Sequence, residues 1–300
     1  MYVITGATGN TGSVIVEKLL AKGEKVRVIG RHADRLQPFA TQGAEPFVAE
    51  VEDRAALTKA FAEAKAVYAM IPPNMSAPDF LAYSKGVGDA LAAALENAGV
   101  KHAVVLSSFG ADKAEKTGPV VGLHYLEQKL NVISGLNALY LRPGYFMENL
   151  LPQVGVIKSF GLMAGPVKAE VKVPLIATRD IGVVAAESLL KLDFEGKRTR
   201  ELLGERDVNY SEIAEVVGKA IGKPGLMYQK LPGTQLKPAL VQMGMSASIA
   251  DALLEMADAL NSGHMRALEQ RSVENTTPTK VETWVSEVFV PAFRVQSAGA

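Results

Sequence analysis

The sequence predicts an α/β protein built on a doubly wound parallel sheet, with a smaller, mostly helical lobe supplied by the C-terminal part of the chain. Three observations carry this reading. Six short apolar runs alternate with segments of helical spacing through the first half of the chain, and strands separated by helices pair in parallel through crossovers. Gly6-Ala7-Thr8-Gly9-Asn10-Thr11-Gly12 stands between the first such run and the first helical segment. After about Asn149 the alternation fades and helical segments dominate.

The strand candidates are YVIT (2 to 5), KVRVIG (25 to 30), PFVA (46 to 49), AVYAMI (66 to 71), AVVLS (103 to 107) and NALYLR (137 to 142). The first helix places Val14, Leu19 and Leu20 inward and stops at Gly23. Another starts at Asp79, an N-cap behind Pro78, and runs to Gly99. DIGVVAAESLL (180 to 190) and RELLG (200 to 204) read as a return to the sheet, whereas YSEIAEVVGKAIGKPG and the stretch from about Leu236 to Leu260 read as helices of the second lobe. Residues 1–150, with 177–204 returning, form one domain in this reading; 151–176 and 205–300 form the other. No Ser/Gly linker separates them, so the lobes are expected to interleave. RVQSAGA, 294 to 300, is expected to fray.

Composition narrows the function. The 300 residues are 48% hydrophobic, enough for one large core and a lobe. Lys plus Arg and Asp plus Glu each total 32, so no basic field suits nucleic acid. The chain has no cysteine, which removes disulfides, thiolate nucleophiles and cysteine-held metals. The four histidines are scattered without metal-ligand spacing. No apolar run approaches the roughly 18 residues that span a bilayer. A soluble cytoplasmic protein without a metal or membrane partner is the expectation.

A strand that ends in a glycine-rich turn and opens into a helix aims backbone N–H groups and the positive helix end at one point, which suits a pyrophosphate. Gly6 supplies positive φ, Gly9 a close backbone approach and Gly12 close helix packing, with Ala7 in the turn and Thr8, Asn10 and Thr11 able to add side-chain hydrogen bonds. The same residues would serve an ordinary βα turn. The end of the second strand selects the dinucleotide: Gly30-Arg31-His32 stands where an acid would grip a ribose 2′-hydroxyl, and a guanidinium pairs instead with a 2′-phosphate. The expected cofactor is NADP(H).

GATGNTG, GRHADRL after the second strand, IPP at 71 to 73, LSSFGAD at 106 to 112 and LRPGYFMENLL at 141 to 151 together resemble the NmrA-like branch of the atypical short-chain dehydrogenase/reductase superfamily. The resemblance covers about residues 1 to 190, and the later segment TRELLGERDVNYSEIAEVVG, 199 to 218, follows the same plan more loosely. It implies Gly6 to Gly12 on the pyrophosphate, Arg31 on the adenosine phosphate, Glu50 and Val51 near the adenine, and Ile71, Pro72 and Pro73 along the adenosine-side ribose and phosphates. Pro143, Gly144, Tyr145 and Phe146 would lie against the nicotinamide, with Ser107 counted among the cofactor residues. Tyr145, Phe146 and Met147 would bound the substrate pocket.

For catalysis the chain offers two readings. Tyr125-x-x-x-Lys129 spells the dyad of short-chain reductases, whereas the family register, counted back from Gly135 and Arg142, puts the active-site position on His124. Leu123, Leu126, Leu130 and Ile133 mark the buried stripe, and Tyr125 and His124 lie roughly 120° and 140° from its centre on opposite flanks, so helical phase leaves both open. The resemblance implies an NADPH-dependent reductase of a quinone, dye or other conjugated carbonyl, with an aromatic or quinone-like substrate. The alternative is a non-catalytic NADP(H)-sensing regulator that binds a protein partner. A sugar-nucleotide epimerase ranks lower, and a homodimer is compatible with each.

Overall fold

In the computed structural model, which describes residues 1–295, the six apolar runs become β1 (Tyr2–Ile4), β2 (Val26–Gly30), β3 (Glu45–Val48), β4 (Ala66–Ala69), β5 (His102–Leu106) and β6 (Asn137–Pro143). Between them lie α1 (Asn10–Ala21), α2 (Ala33–Ala40), α3 (Arg54–Phe61), α4 (Phe80–Asn97) and α5 (Val120–Asn131). The chain then leaves the sheet through β7 (Tyr145–Phe146), a 3-10 turn at Met147–Leu150, α6 (Gln153–Phe160), β8 (Met163–Gly165) and β9 (Val173–Ile176). It returns through α7 (Thr178–Lys191) and β10 (Lys197–Leu202), and ends with β11 (Asp207–Val208), α8 (Tyr210–Ala220), β12 (Tyr228–Lys230), α9 (Gly233–Gln242), α10 (Ala247–Ser262), α11 (Val281–Trp284) and α12 (Val290–Val295).

The central sheet runs β10-β6-β5-β4-β1-β2-β3, parallel at every pairing. β1 pairs with both β2 and β4, so the winding reverses there and opens a crevice at the carboxyl ends of those strands. β1 shows why the sheet is covered on both sides: Tyr2 and Ile4 enter the core under α1 and α7, while Val3 enters the core under α3, α4 and α5. Pro46 is accommodated because β3 is an edge strand.

Local signals act as the sequence suggests at several ends. The Asp79 carboxylate accepts from the Ala82 amide at 2.9 Å and caps α4, and Gly23 takes φ +73° just after α1. Of the two segments expected at the sheet, only the second is a strand. Residues 180–190 belong to α7, which packs on α1 so closely that a Cβ on Gly182 would lie 2.7 Å from Val14 Cβ. β10 pairs with β6 from Lys197↔Ala138 to Leu202↔Pro143. The stretch 236 to 260 is two helices, broken where Gly244 takes φ +93° and Ser246 caps α10 through the Ile249 amide.

The second lobe closes around Trp284, Phe289, Tyr210 and Ile213, and the same core takes in Phe109, Ala111 and Val120 from the β5–α5 connection. Two small sheets, β11-β9-β7 and β12-β8, brace it. Among the described residues no helix is long and apolar enough to cross a membrane. Arg294 and Val295 of the expected frayed tail belong to α12; its remaining residues lie outside the described ones.

Replacing Asp79 by Ala removes the α4 cap, an expected loss of about 1 kcal/mol read as a lower urea midpoint at unchanged m-value.

Candidate functional site

The three turn glycines have different reasons to be glycine. Gly6 has φ +61°, and a Cβ there would stand 2.7 Å from Met70 Sδ. A Cβ on Gly12 would collide with the Gly6 carbonyl oxygen and lie 2.9 Å from Ala7 Cα, because α1 is pressed onto β1. The fold itself demands both. Gly9, the α1 N-cap with an ordinary φ of −89°, would meet only Gly6 O at 3.2 Å, and it is exposed beside Thr8 and Asn10. A Gly9 Cβ would press on that one backbone oxygen and meet no other heavy atom within 4 Å.

α1 begins here without an acidic residue in its first turn, so the leading amides present uncompensated positive charge. That arrangement fits a pyrophosphate. Thr11 is buried and its hydroxyl pairs with Tyr68 Oη at 2.9 Å, so this side chain is tied to β4 at the base of the turn. Ala7 is buried.

At the next strand end, the Ala49 amide donates to Gly30 O at 3.1 Å, which sets Arg31 beside Glu50; both are exposed, while Val51 is buried. The neighbouring β4–α4 connection holds Ile71 half-buried, Pro73 exposed, and Pro72 with its carbonyl accepting the Tyr83 hydroxyl at 3.0 Å. Burial first, and then Glu52, raise the Tyr83 pKa; Arg31 lowers it and Glu50 adds to the rise. Tyr83 thus stands within the field of all three charges. The sequence reading missed it, although its position one turn after Phe80 on the inner face of α4 was a usable signal.

The β5 and β6 ends meet in a buried carboxylate. Glu127 Oε1 accepts from the Ser107 hydroxyl at 2.5 Å and from Arg142 Nε at 3.0 Å, while Oε2 accepts from Arg142 Nη2 at 2.5 Å. Ser107 is therefore an anchor whose hydroxyl proton is committed to Glu127. One turn earlier on α5, His124 Nδ1 donates to Ala111 O at 2.8 Å, a contact that fixes the ring and leaves Nε2 as its second group.

Tyr125 goes the other way. Its hydroxyl donates to Asp89 Oδ1 at 2.9 Å on α4, and Lys129 Nζ lies 3.0 Å from the same oxygen and 5.0 Å from the Tyr125 ring centre. Burial opposes ionisation of Asp89, but bonds from Lys129 and Tyr125 outweigh it and hold the carboxyl below its usual range. Tyr125 and Asp89 in turn hold the Lys129 ammonium above its usual range. The YxxxK is a clasp between α4 and α5, and Tyr125 is not brought to the strand ends with the other candidates.

After β6 the chain threads a tight gap. A Cβ on Gly144 would collide with Pro174 O, and its amide donates to Leu202 O at 2.8 Å. Pro143 is buried. Alternation along β7 sends Phe146 toward the sheet core and Tyr145 toward the lobe core, where it packs edge-on against Tyr210 at 6.5 Å; Tyr210 lies 4.7 Å from Tyr228. Burial raises the pKa of all three tyrosines, so they remain protonated donors. Met147, expected at the pocket wall, is 1% exposed and cannot line it. Glu148, unforeseen, accepts from the Thr178 amide at 3.1 Å and from Trp284 Nε1 at 3.1 Å, capping α7 and pinning the lobe.

Among the described residues no group of three His, Cys, Asp or Glu could hold a metal ion. A polar groove of about 540 Å³ lies along β10, lined by Arg198, Arg200, Glu269 and Asn275, on the far side of the sheet order from β1 and β2.

Residues 2–285 match the NmrA-like family. The chain belongs to that family. It is similar to the NAD(P)H azoreductase of Xenophilus azovorans, 29% identical over 85% of this chain and 86% of that protein. An NADPH-dependent quinone oxidoreductase from Escherichia coli, solved in complex with NADPH, superposes with TM-score 0.81 at 26% identity over 96% and 100% of the two chains. The Citrobacter sp. triphenylmethane reductase complexed with NADP(H) shares the fold, with TM-score 0.78 at 20% identity over 94% and 98%. These similarities place the NmrA-like fold over nearly the whole chain.

The two glycines should separate on substitution. Gly12→Ala is expected to lower stability by about 1–3 kcal/mol through overpacking. Gly9→Ala should unfold near the parent temperature yet lose dinucleotide affinity by about tenfold or more, as its Cβ enters the cradle. Calorimetry and nicotinamide fluorescence read the two effects.

Proposed function

We propose that this NmrA-like protein is an NADPH-dependent oxidoreductase that reduces a quinone, a dye or another conjugated carbonyl acceptor. The observation that carries the reading is the crevice at the winding reversal, where the exposed Gly9 and the leading α1 amides could receive an anion and Arg31 stands at the next strand end. The azoreductase and quinone oxidoreductase relatives support the acceptor class. In this reading residues 1–150 with 177–204 hold the cofactor, and 151–176 with 205–300 supply the acceptor side.

When bound, NADPH supplies a hydride. The chain's own residues bind and orient. The first-turn amides would hold the pyrophosphate and Arg31 the 2′-phosphate. Tyr83 fixes the Pro72 carbonyl and so the wall of the β4–α4 loop. His124, its Nδ1 held by Ala111, would keep Nε2 for the nicotinamide side of the cofactor. No tyrosine–lysine acid is assembled here, because Tyr125 and Lys129 are engaged with Asp89. Conjugated acceptors tolerate this, since charge spreads over the acceptor and water can deliver any proton needed.

The same missing dyad favours a second reading, a sensor that binds NADP(H) and a protein partner without turnover. Purified protein with NADPH and a panel of quinones and triarylmethane dyes, followed at the nicotinamide absorbance band, decides. Consumption of NADPH supports the reductase; tight binding without consumption on any acceptor selects the sensor.

Arg31 should give NADPH at least about tenfold tighter binding than NADH, the equivalent of one charge-assisted hydrogen bond. Arg31→Asp should erase or invert that ratio, and equal affinities in the parent would refute the assignment. Tyr125→Phe is expected to change turnover by less than about tenfold, well short of the loss of a general acid. His124→Ala should cost about tenfold to a hundredfold, with weaker cofactor binding, through lost positioning. A thousandfold loss in Tyr125→Phe with cofactor affinity intact would reinstate the dyad.

A further inference from the structure

Three cations of the second lobe gather at one aromatic ring. Lys158 belongs to α6, Lys223 follows α8 and Arg294 belongs to α12. Lys158 Nζ lies 4.9 Å and Lys223 Nζ 6.0 Å from the centre of the Phe293 ring. Phe293 and Arg294 in turn line a pocket of about 200 Å³ whose other walls are Ala220, Ile221 and Val290.

The Lys158 amine is buried without a hydrogen-bond partner among the described residues. The Phe293 face attracts it, but a ring face leaves the three N–H donors of an ammonium without acceptors. No neighbouring acid is free to help. α6 contains no acidic residue. On α8, Glu212 is paired with Arg206 and Glu215 with Lys219, while Glu282 and Glu287, ahead of α12, are paired with Arg206 and Arg179. A buried cation in this condition is costly until an anion reaches it. The helical chain that supplies Val290, Phe293 and Arg294 also makes a π turn at Val285–Phe289, immediately before them. Such turns recur at functional sites.

We infer that the pocket between α8 and α12 binds a small organic carboxylate, with the charged group toward Lys158, Lys223 and Arg294 and an apolar body of about one ring against Ile221, Val290 and Phe293. The cations set the charge of the ligand, and the aliphatic and aromatic walls set its apolar part. Its size follows from the volume, since a cavity of about 150 Å³ already admits benzene. The pocket stands at the opposite end of α8 from Tyr210, which packs against Tyr145; ten residues of helix separate the two by about 15 Å. This is a second site, and the inference does not depend on the reductase reading of the crevice.

The test is isothermal titration of the full chain with benzoate, and with benzamide and inorganic phosphate as controls. Benzoate should bind saturably with Kd at or below about 1 mM. Benzamide lacks the charge and phosphate lacks the apolar body, so each should bind at least about tenfold more weakly. Lys158→Met should weaken benzoate by about tenfold or more, and without ligand it should unfold at the parent temperature or above, because an unpaired buried charge is gone. Ala220→Trp, at the exposed end of α8, should close the pocket with both lysines in place, abolishing benzoate binding at unchanged NADPH affinity. If Lys158→Met instead lowers the unfolding temperature, the lysine is a structural part of the Phe293 contact, and Ala220→Trp alone decides. Absence of saturable benzoate binding, benzamide or phosphate binding as tightly as benzoate, or benzoate affinity unaltered in Ala220→Trp would overturn the site.

Discussion

Three pieces of the crevice floor are joined at the carboxylate of Glu127. Ser107 follows β5 directly, Arg142 precedes the Pro143-Gly144 turn, and Glu127 itself belongs to α5, one turn after His124; the Glu127 side chain is 3% exposed. A carboxylate this deep is tolerated only when its lone pairs are occupied, and here both oxygens are. Removing one partner of such a pair typically costs about 3–5 kcal/mol, because the other charge is left stranded. Tyr140, whose hydroxyl donates to Asn131 Oδ1 at 2.9 Å and lies 3.3 Å from Glu127 O, ties the same helix to β6. The helix carrying His124 therefore has one place to sit on the sheet.

Much of the fold was legible because its signals are local. Apolar runs, the Asp79 cap and Gly23 act within a few residues of themselves. The failures fall where local pattern is ambiguous or irrelevant. Residues 180–190 are apolar enough for a strand, and only packing of Gly182 against α1 reveals a helix. The cofactor-side glycines could be read down to their separate tasks, because the turn between β1 and α1 is local: Gly6 takes positive φ and Gly12 packs against the Gly6–Ala7 backbone. Glu127, Glu148 and Tyr83 carry no motif; their partners are 15, 136 and 11 residues away in sequence.

The literal YxxxK shows the reverse error, a motif present without its setting. Two residues four apart on any helix share a face, and here the face they share is the α4 seam. Adjacent positions on α5 diverge by about 100°, so bringing His124 to Ala111 sends Tyr125 to Asp89. NmrA-like membership does not fix these partners; the side-chain contacts hold His124 at Ala111 and Tyr125 at Asp89.

The return of β10 to β6 has a consequence for how the molecule can be made. The sheet's outermost strand comes from residues 197–202, after β7, α6, β8 and β9 have already been laid down away from the sheet. Until those residues emerge, β6 is a bare parallel edge, the surface most prone to pair with another chain. The lobe that intervenes cannot be left for later, because Glu148 holds the first turn of α7 and α7 lies on the route back. Assembly is thus non-local, and a fragment ending near Leu150 would carry an unprotected template for aggregation rather than an independent nucleotide-binding unit.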